Sequence, residues 1–184
     1  MRESEPVALT RDLEVVEIPA GTKATLPAGS HVLVTQTLGG NYTVMTVDGY
    51  LFRVDGKDAD ALGHEVKAAD PRLAQPADAG PVDQALVWDQ LRTVYDPEIP
   101  VNIVELGLVH SADVTDLPDG GQKVEVRFTL TAPGCGMGDV LRQDIEGKLR
   151  RLAGVKDVDV QVQLDPPWDQ SKMSDAARLQ LGLM

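Results

Sequence analysis

The single cysteine of the chain, Cys135, stands in the run Thr131-Ala132-Pro133-Gly134-Cys135-Gly136-Met137-Gly138. An alternating apolar segment ends just before it at Leu130, and a helical pattern starts just after it near Gly138. A helix N-terminus carries partial positive charge and free N–H groups. A thiol held there is biased toward thiolate, the form that attacks electrophiles and ligates metals. Gly134, Gly136 and Gly138 remove side chains around it, so backbone N–H groups can approach an anion, a sulfide or a substrate. Pro133 stiffens the approach, and the Thr131 hydroxyl can either donate to the thiolate or cap the loop. Free cysteine is often simply buried, but a core cysteine seldom needs three flanking glycines. The loop alone does not separate a nucleophile from a metal ligand.

A nucleophilic cysteine wants a paired base. The histidines are His31, His64 and His110. The first two lie in the other half of the chain, and His110 follows Gly107-Leu108-Val109 on a strand, where it is expected to face solvent. No catalytic residue is therefore assigned, and the chain is not read as an enzyme. Asp96 and Glu98 are the remaining candidates, on a loop stiffened by Pro97 and Pro100. Two acids at i and i+2 of an extended segment point to opposite sides, so at most one is expected to face the cysteine. One cysteine builds neither an internal disulfide nor a metal site of four cysteines. A metal role needs other ligand types, a second chain or a small thiol.

Two groups of elements must hold these residues. Leu13–Ile18, His31–Gln36, Asn41–Val47 and Tyr50–Val54 are short and β-branched, and Pro19-Ala20-Gly21, Pro27-Ala28-Gly29, Gly39-Gly40-Asn41 and Asp48-Gly49 separate them. A small sheet or barrel of about five strands is expected, with a type I′ turn at Asp48-Gly49 and a short helical turn at Asp58–Leu62. Pro71, Pro76 and Pro81 mark a linker, which gives a β-rich domain over 1–78 and a second domain over 79–184. The second domain reads helix, strand, strand, helix, strand and tail. Asp83 caps a helix that ends near Tyr95. Leu106–Val114 and Lys123–Leu130 are strands, Gly138–Leu152 is a helix, and Val155–Leu164 is a strand with Val158, Val160, Val162 and Leu164 on one face. Ser174 caps a last helix, Asp175–Leu181. The fold class is α+β, with the helices on one face of the second sheet.

At 184 residues, 42% hydrophobic and 25% charged, the chain is ordinary globular material rather than disordered. Its net charge of −12 repels phosphate backbones and anionic lipid, so no nucleic-acid or membrane partner is expected. No apolar run is long enough for a membrane span. The polar, acidic start lacks a signal core, and with the lone cysteine it suggests the cytoplasm.

Three blocks carry a resemblance. The first is Asp96-Pro97-Glu98-Ile99-Pro100-Val101-Asn102-Ile103-Val104-Glu105-Leu106-Gly107-Leu108-Val109, the second is Thr129 to Gly138, and the third is Asp165-Pro166-Pro167-Trp168 followed by Lys172-Met173-Ser174. Together they resemble the small iron–sulfur assembly-factor domain shared by SufT-type and PaaD-type proteins, and the N-terminal β-segment looks like the extension of SufT proteins. The resemblance implies an auxiliary role in maturing iron–sulfur proteins, with SUF-type scaffold proteins and client apoproteins as partners. It puts Cys135 in the place of the reactive cysteine, and Asp96, Glu98 and Thr131 in the places of its neighbours. Under it, Cys135 is a transient ligand of iron or of a cluster, bridging a homodimer or completed by other ligands. The alternative is a metal-free adaptor between scaffold and clients. Three positions depart from the family pattern: His110 stands where Tyr is frequent, Ala132 where some members have Thr, and Gly136 where many have Pro.

Overall fold

The computed structural model describes residues 5–66, 80–96, 98–132 and 136–183. The chain divides into two compact units, Met1–Ala68 with Cys135–Met137, and Ala69–Gly134 with Gly138–Met184. The expected boundary near residue 78 falls outside the described residues.

The first unit is one antiparallel sheet of β1 (Val7–Ala8), β2 (Leu13–Ile18), β3 (Lys23–Leu26), β4 (His31–Leu38), β5 (Asn41–Thr46) and β6 (Leu51–Val54), in the order β1-β4-β5-β6-β2-β3. Alternation places Leu13, Val15, Val32, Tyr42, Val44, Phe52 and Val54 inside. A 3-10 segment, Gly56–Leu62, closes that core with Ala59, Ala61 and Leu62. Arg11 ties the segment down, with Nη2 at 2.8 Å from both Asp58 Oδ1 and Asp60 Oδ1. These hydrogen bonds hold the Asp60 carboxyl below the usual aspartate value.

Two expectations needed correction here. Strands β1 and β3 were not anticipated, because each is only two to four residues long and exists through its partner, β4 or β2. The turn at Asp48-Gly49 is not type I′, which needs positive φ at both central residues. Gly49 has φ of 86°, while no described non-glycine residue has a positive φ. Thr46 O accepts from Gly49 N–H at 2.9 Å and Thr46 N–H donates to Tyr50 O at 2.9 Å. The hairpin therefore closes on Val47-Asp48-Gly49 with only the glycine left-handed, because the Asp48 Cβ disfavours that region.

The second unit holds α1 (Gln84–Leu91), β7 (Val109–Asp116), β8 (Gln122–Phe128), α2 (Met137–Leu149), β9 (Val155–Val162) and α3 (Asp175–Gln180). Its sheet runs β7-β8-β9, antiparallel between β7 and β8 and parallel between β8 and β9. A parallel neighbour requires a crossover, and α2 supplies it. Val124, Val126 and Phe128 of β8 pack with Leu141, Ile145 and Leu149 of α2 and with Val87 and Leu91 of α1. Lys123, Glu125 and Arg127 alternate with them and keep partial or full contact with water. The α+β class and the helix-covered sheet thus follow from the period-2 pattern of β8 and the apolar stripe of α2.

One polar group of side chains crosses this core. Lys148 Nζ lies 3.3 Å from Asp144 Oδ2, with both side chains only 9% exposed. It also donates to Thr93 O at 2.6 Å, while Gln90 Nε2 donates to Lys148 O at 3.1 Å. The last turn of α2 is thereby fastened to the end of α1.

Element ends differ from expectation. Helix α1 stops at Leu91 rather than near Tyr95, and a tight turn follows in which Thr93 Oγ1 donates to Gln90 O at 2.7 Å. The Tyr95–Asn102 bridge draws the backbone out of the helix. Strand β7 begins at Val109 because residues 103–107 turn, although Leu106 and Leu108 remain buried. Helix α2 ends at Leu149, short of Leu152. In β9, Val158 and Val160 are buried while Val162 is exposed, and Leu164, expected on the same face, lies beyond the end of the strand and is exposed.

Candidate functional site

Asp96 is 5% exposed and ends the segment that follows α1. Its Oδ1 accepts the N–H groups of Glu98 at 2.8 Å and Ile99 at 2.9 Å. That is an Asx-type turn, which the aspartate side chain favours in a loop. Burial raises the Asp96 carboxyl above the usual aspartate value, against the lowering effect of the Ile99 and Glu98 N–H groups. Glu98 itself is exposed. The segment is a turn rather than the extended run expected for it, and the two acids have different environments: one shapes the loop from inside, and the other faces water.

The loop is held in place from the C-terminal side. Asn102 Oδ1 accepts from Val104 N–H at 3.1 Å and Glu105 N–H at 2.9 Å, making a second turn of the same kind. Trp168 Nε1 donates to Leu106 O at 2.8 Å, Ser174 N–H to Glu105 O at 2.9 Å, and Gln180 Nε2 to Pro100 O at 2.8 Å. Ser174 Oγ caps α3 by accepting from Ala177 N–H at 3.1 Å. Gly107 makes the close approach of the tail feasible. Its φ is +71°, and a Cβ there would meet Lys172 O at 2.1 Å.

Helix α2 begins at Met137, two residues after Cys135. Pro97, Pro133, Gly134 and Cys135 lie outside the described residues. Thr131 and Gly136 are half-buried. Gly138 is buried, and a Cβ there would come 3.2 Å from Leu130 Cδ1 and 3.7 Å from Val162 Cγ2. This glycine lets the first turn of α2 seat closely on the ends of β8 and β9, a packing role beside the anion-cradling one expected for it. Among the described residues, no three His, Cys, Asp or Glu side chains gather as a metal site.

His110 differs from its expectation. Instead of facing solvent wholly, its Nε2 is shut off from water and has no hydrogen-bond partner. The sequence singled this position out as a possible base for the cysteine and by its departure from the family's frequent Tyr. The register slip between Val109 and Ser111 leaves no mark in the pattern of residue types.

Comparison with known proteins agrees with this architecture. Residues 84–162 match the family model described as iron–sulfur cluster assembly protein. An Fe–S protein maturation auxiliary factor of Porphyromonas gingivalis is 45% identical over 51% of this chain and 86% of its own length. The Fe–S protein maturation auxiliary factor SufT of Staphylococcus aureus is 36% identical over 49% of this chain and 98% of its own. An iron–sulfur cluster carrier protein of Synechocystis is 32% identical over 44% of this chain and 22% of its own. On these matches, the chain belongs to the iron–sulfur cluster assembly protein family.

Proposed function

We propose that this protein is an auxiliary factor that takes iron or an iron–sulfur cluster as cargo on Cys135 and hands it to client apoproteins. The observation that carries this reading is the position of the single cysteine two residues before α2, within a domain related to maturation factors. The N–H groups and dipole at the start of α2 favour the thiolate that iron requires. A cluster ordinarily takes four protein ligands, so one thiolate per chain makes an incomplete site from which cargo can leave. A second copy of the chain, or a small thiol, completes the set. The protein moves cargo rather than transforming a substrate, and its partners are SUF-type scaffold proteins and clients in the cytoplasm. Among the described residues, no helix is long and apolar enough to cross a membrane.

Anaerobic reconstitution with iron and sulfide tests the reading, with wild type and Cys135→Ala run side by side. Visible absorbance at about one cluster per dimer is expected for wild type, and none for the variant. Colourless wild type, or colour retained by Cys135→Ala, overturns the carrier reading and leaves a metal-free adaptor between scaffold and clients.

A further inference from the structure

The three-stranded sheet of the second unit has β7 and β9 at its edges. On the β7 side the register slips between Val109 and Ser111, and Gln84 Nε2 of α1 donates to Ala112 O at 2.8 Å. A bulge and a covering side chain are common ways to blunt an edge strand. From Asp157 to Val162, strand β9 pairs with β8 without a break and contains neither proline nor glycine. Gln163 N–H donates inward to Phe128 O at 2.7 Å. Backbone directions alternate along a strand, so the N–H and C=O groups of Val158, Val160 and Val162 point outward. Among the described residues, no hydrogen bond reaches these outward groups.

The two faces of this edge differ in chemistry. Val158 and Val160 belong to the core, Val162 continues their face into water at 40% exposure, and Leu164 just beyond it is 48% exposed. Asp157, Asp159 and Gln161 alternate with the valines on the other face. Lys123 Nζ is shared between Glu125 Oε1 at 3.3 Å and Asp159 Oδ2 at 3.8 Å. Lys156 Nζ turns away to donate to Asp119 O at 3.2 Å, and Arg127 lies beside Gln161 rather than beside the acids. Among the described residues, no cation pairs with Asp157. The open edge thus carries two carboxylates at i and i+2, served by half of one lysine.

We propose that β9 is a docking edge that takes an extended segment of a partner protein as a fourth strand, with lysine or arginine at alternate positions beside Asp157 and Asp159 and apolar residues on the face of Val162. In this mode main-chain hydrogen bonds supply affinity, and the alternate side chains select the partner. Opposite charges on neighbouring strands stabilise a sheet, and like charges destabilise it. A second copy of the chain would bring the same two acids and a net charge of −12 to the edge, which argues for a partner of the other sign. The proposal goes beyond the carrier reading, because docking here needs neither iron nor the thiol and would serve a carrier and an adaptor alike.

NMR titration of the nitrogen-15-labelled full chain tests it. The probe is an acetylated, amidated hexapeptide of alternating lysine and valine, and the control is the corresponding glutamate–valine peptide. The lysine peptide is expected to shift the amides of Val158, Val160 and Val162, to slow their hydrogen exchange and to bind more weakly as salt rises. The glutamate peptide is expected to leave them unmoved. Val162→Pro removes an outward N–H at an edge position where proline spares the ladder. It is expected to weaken binding about tenfold, the order of one main-chain hydrogen bond left unmade. Asp157→Lys combined with Asp159→Lys is expected to reverse the preference between the two peptides. The comparison of peptides on wild type stands even if a variant fails to fold. Unmoved β9 amides, or equal shifts with both peptides, overturn the proposal. Shifts of the same amides on concentrating the protein alone assign the edge to a second copy and overturn it as well.

Discussion

Asp96 carries a carboxyl group into a site where its charge is disfavoured. Between the ordinary aspartate value and the raised one, the folded protein holds a proton that the unfolded chain has released. Stability therefore falls as pH climbs through that window, and above it the ionised group carries its burial cost in full. Asp96→Asn keeps the Oδ1 acceptor for Glu98 and Ile99 and removes the charge. It is expected to raise Tm by a few degrees at pH above that window, with the gain shrinking as pH falls toward the ordinary aspartate range. Thermal melts followed by circular dichroism at several pH values check this, and a Tm lowered across the whole pH series contradicts it. Should the same variant also lose cluster transfer, the acid is retained for function at the expense of stability. Its place in a loop was legible from Pro97 and Pro100, but its burial depends on packing contributed by distant segments.

At the level of elements, the tail and the Asp96 loop stabilise one another. Gly107 combines a left-handed backbone with a 2.1 Å approach of its would-be Cβ to Lys172 O. Gly107→Ala therefore meets both backbone strain and a collision, and is expected to cost about 2 kcal/mol or more. Urea unfolding should show a lower midpoint, and Trp168 fluorescence should change as its hydrogen bond to Leu106 O is lost. An unchanged midpoint rules out this account of the tail. The helix caps at Asp83 and Ser174 were readable because a capping side chain and its N–H partner lie within three residues of each other. The early end of α1 was not, since the Tyr95–Asn102 bridge that draws it out is made with a segment beyond the loop.

For the whole molecule, each unit has its own apolar core. Relatives of maturation-factor type match only about half of this chain yet are covered over 86% and 98% of their own lengths. We therefore propose that residues 80–184 form an independent folding unit. That fragment is expected to unfold cooperatively and to show dispersed amide resonances by NMR. A collapsed, non-cooperative fragment would show that the first unit is needed for folding. The net charge of −12 should also keep the intact protein off DNA at physiological salt, where a basic footprint is what normally holds a protein there.

Period, capping and punctuation act over a few residues, which is why the amino-acid order alone was enough for β8, α2, both helix caps and the family-bearing blocks. Val124, Val126 and Phe128 announce a half-buried strand because alternation is a property of neighbouring residues. Register, burial and pairing join residues far apart in the chain. The short strand β3 exists only against β2, the parallel β8–β9 pair only through α2, and the orphaned His110 nitrogen only through a one-residue slip against Phe128. None of these can be read from local order, because each is decided by the free energy of the assembled sheet and core.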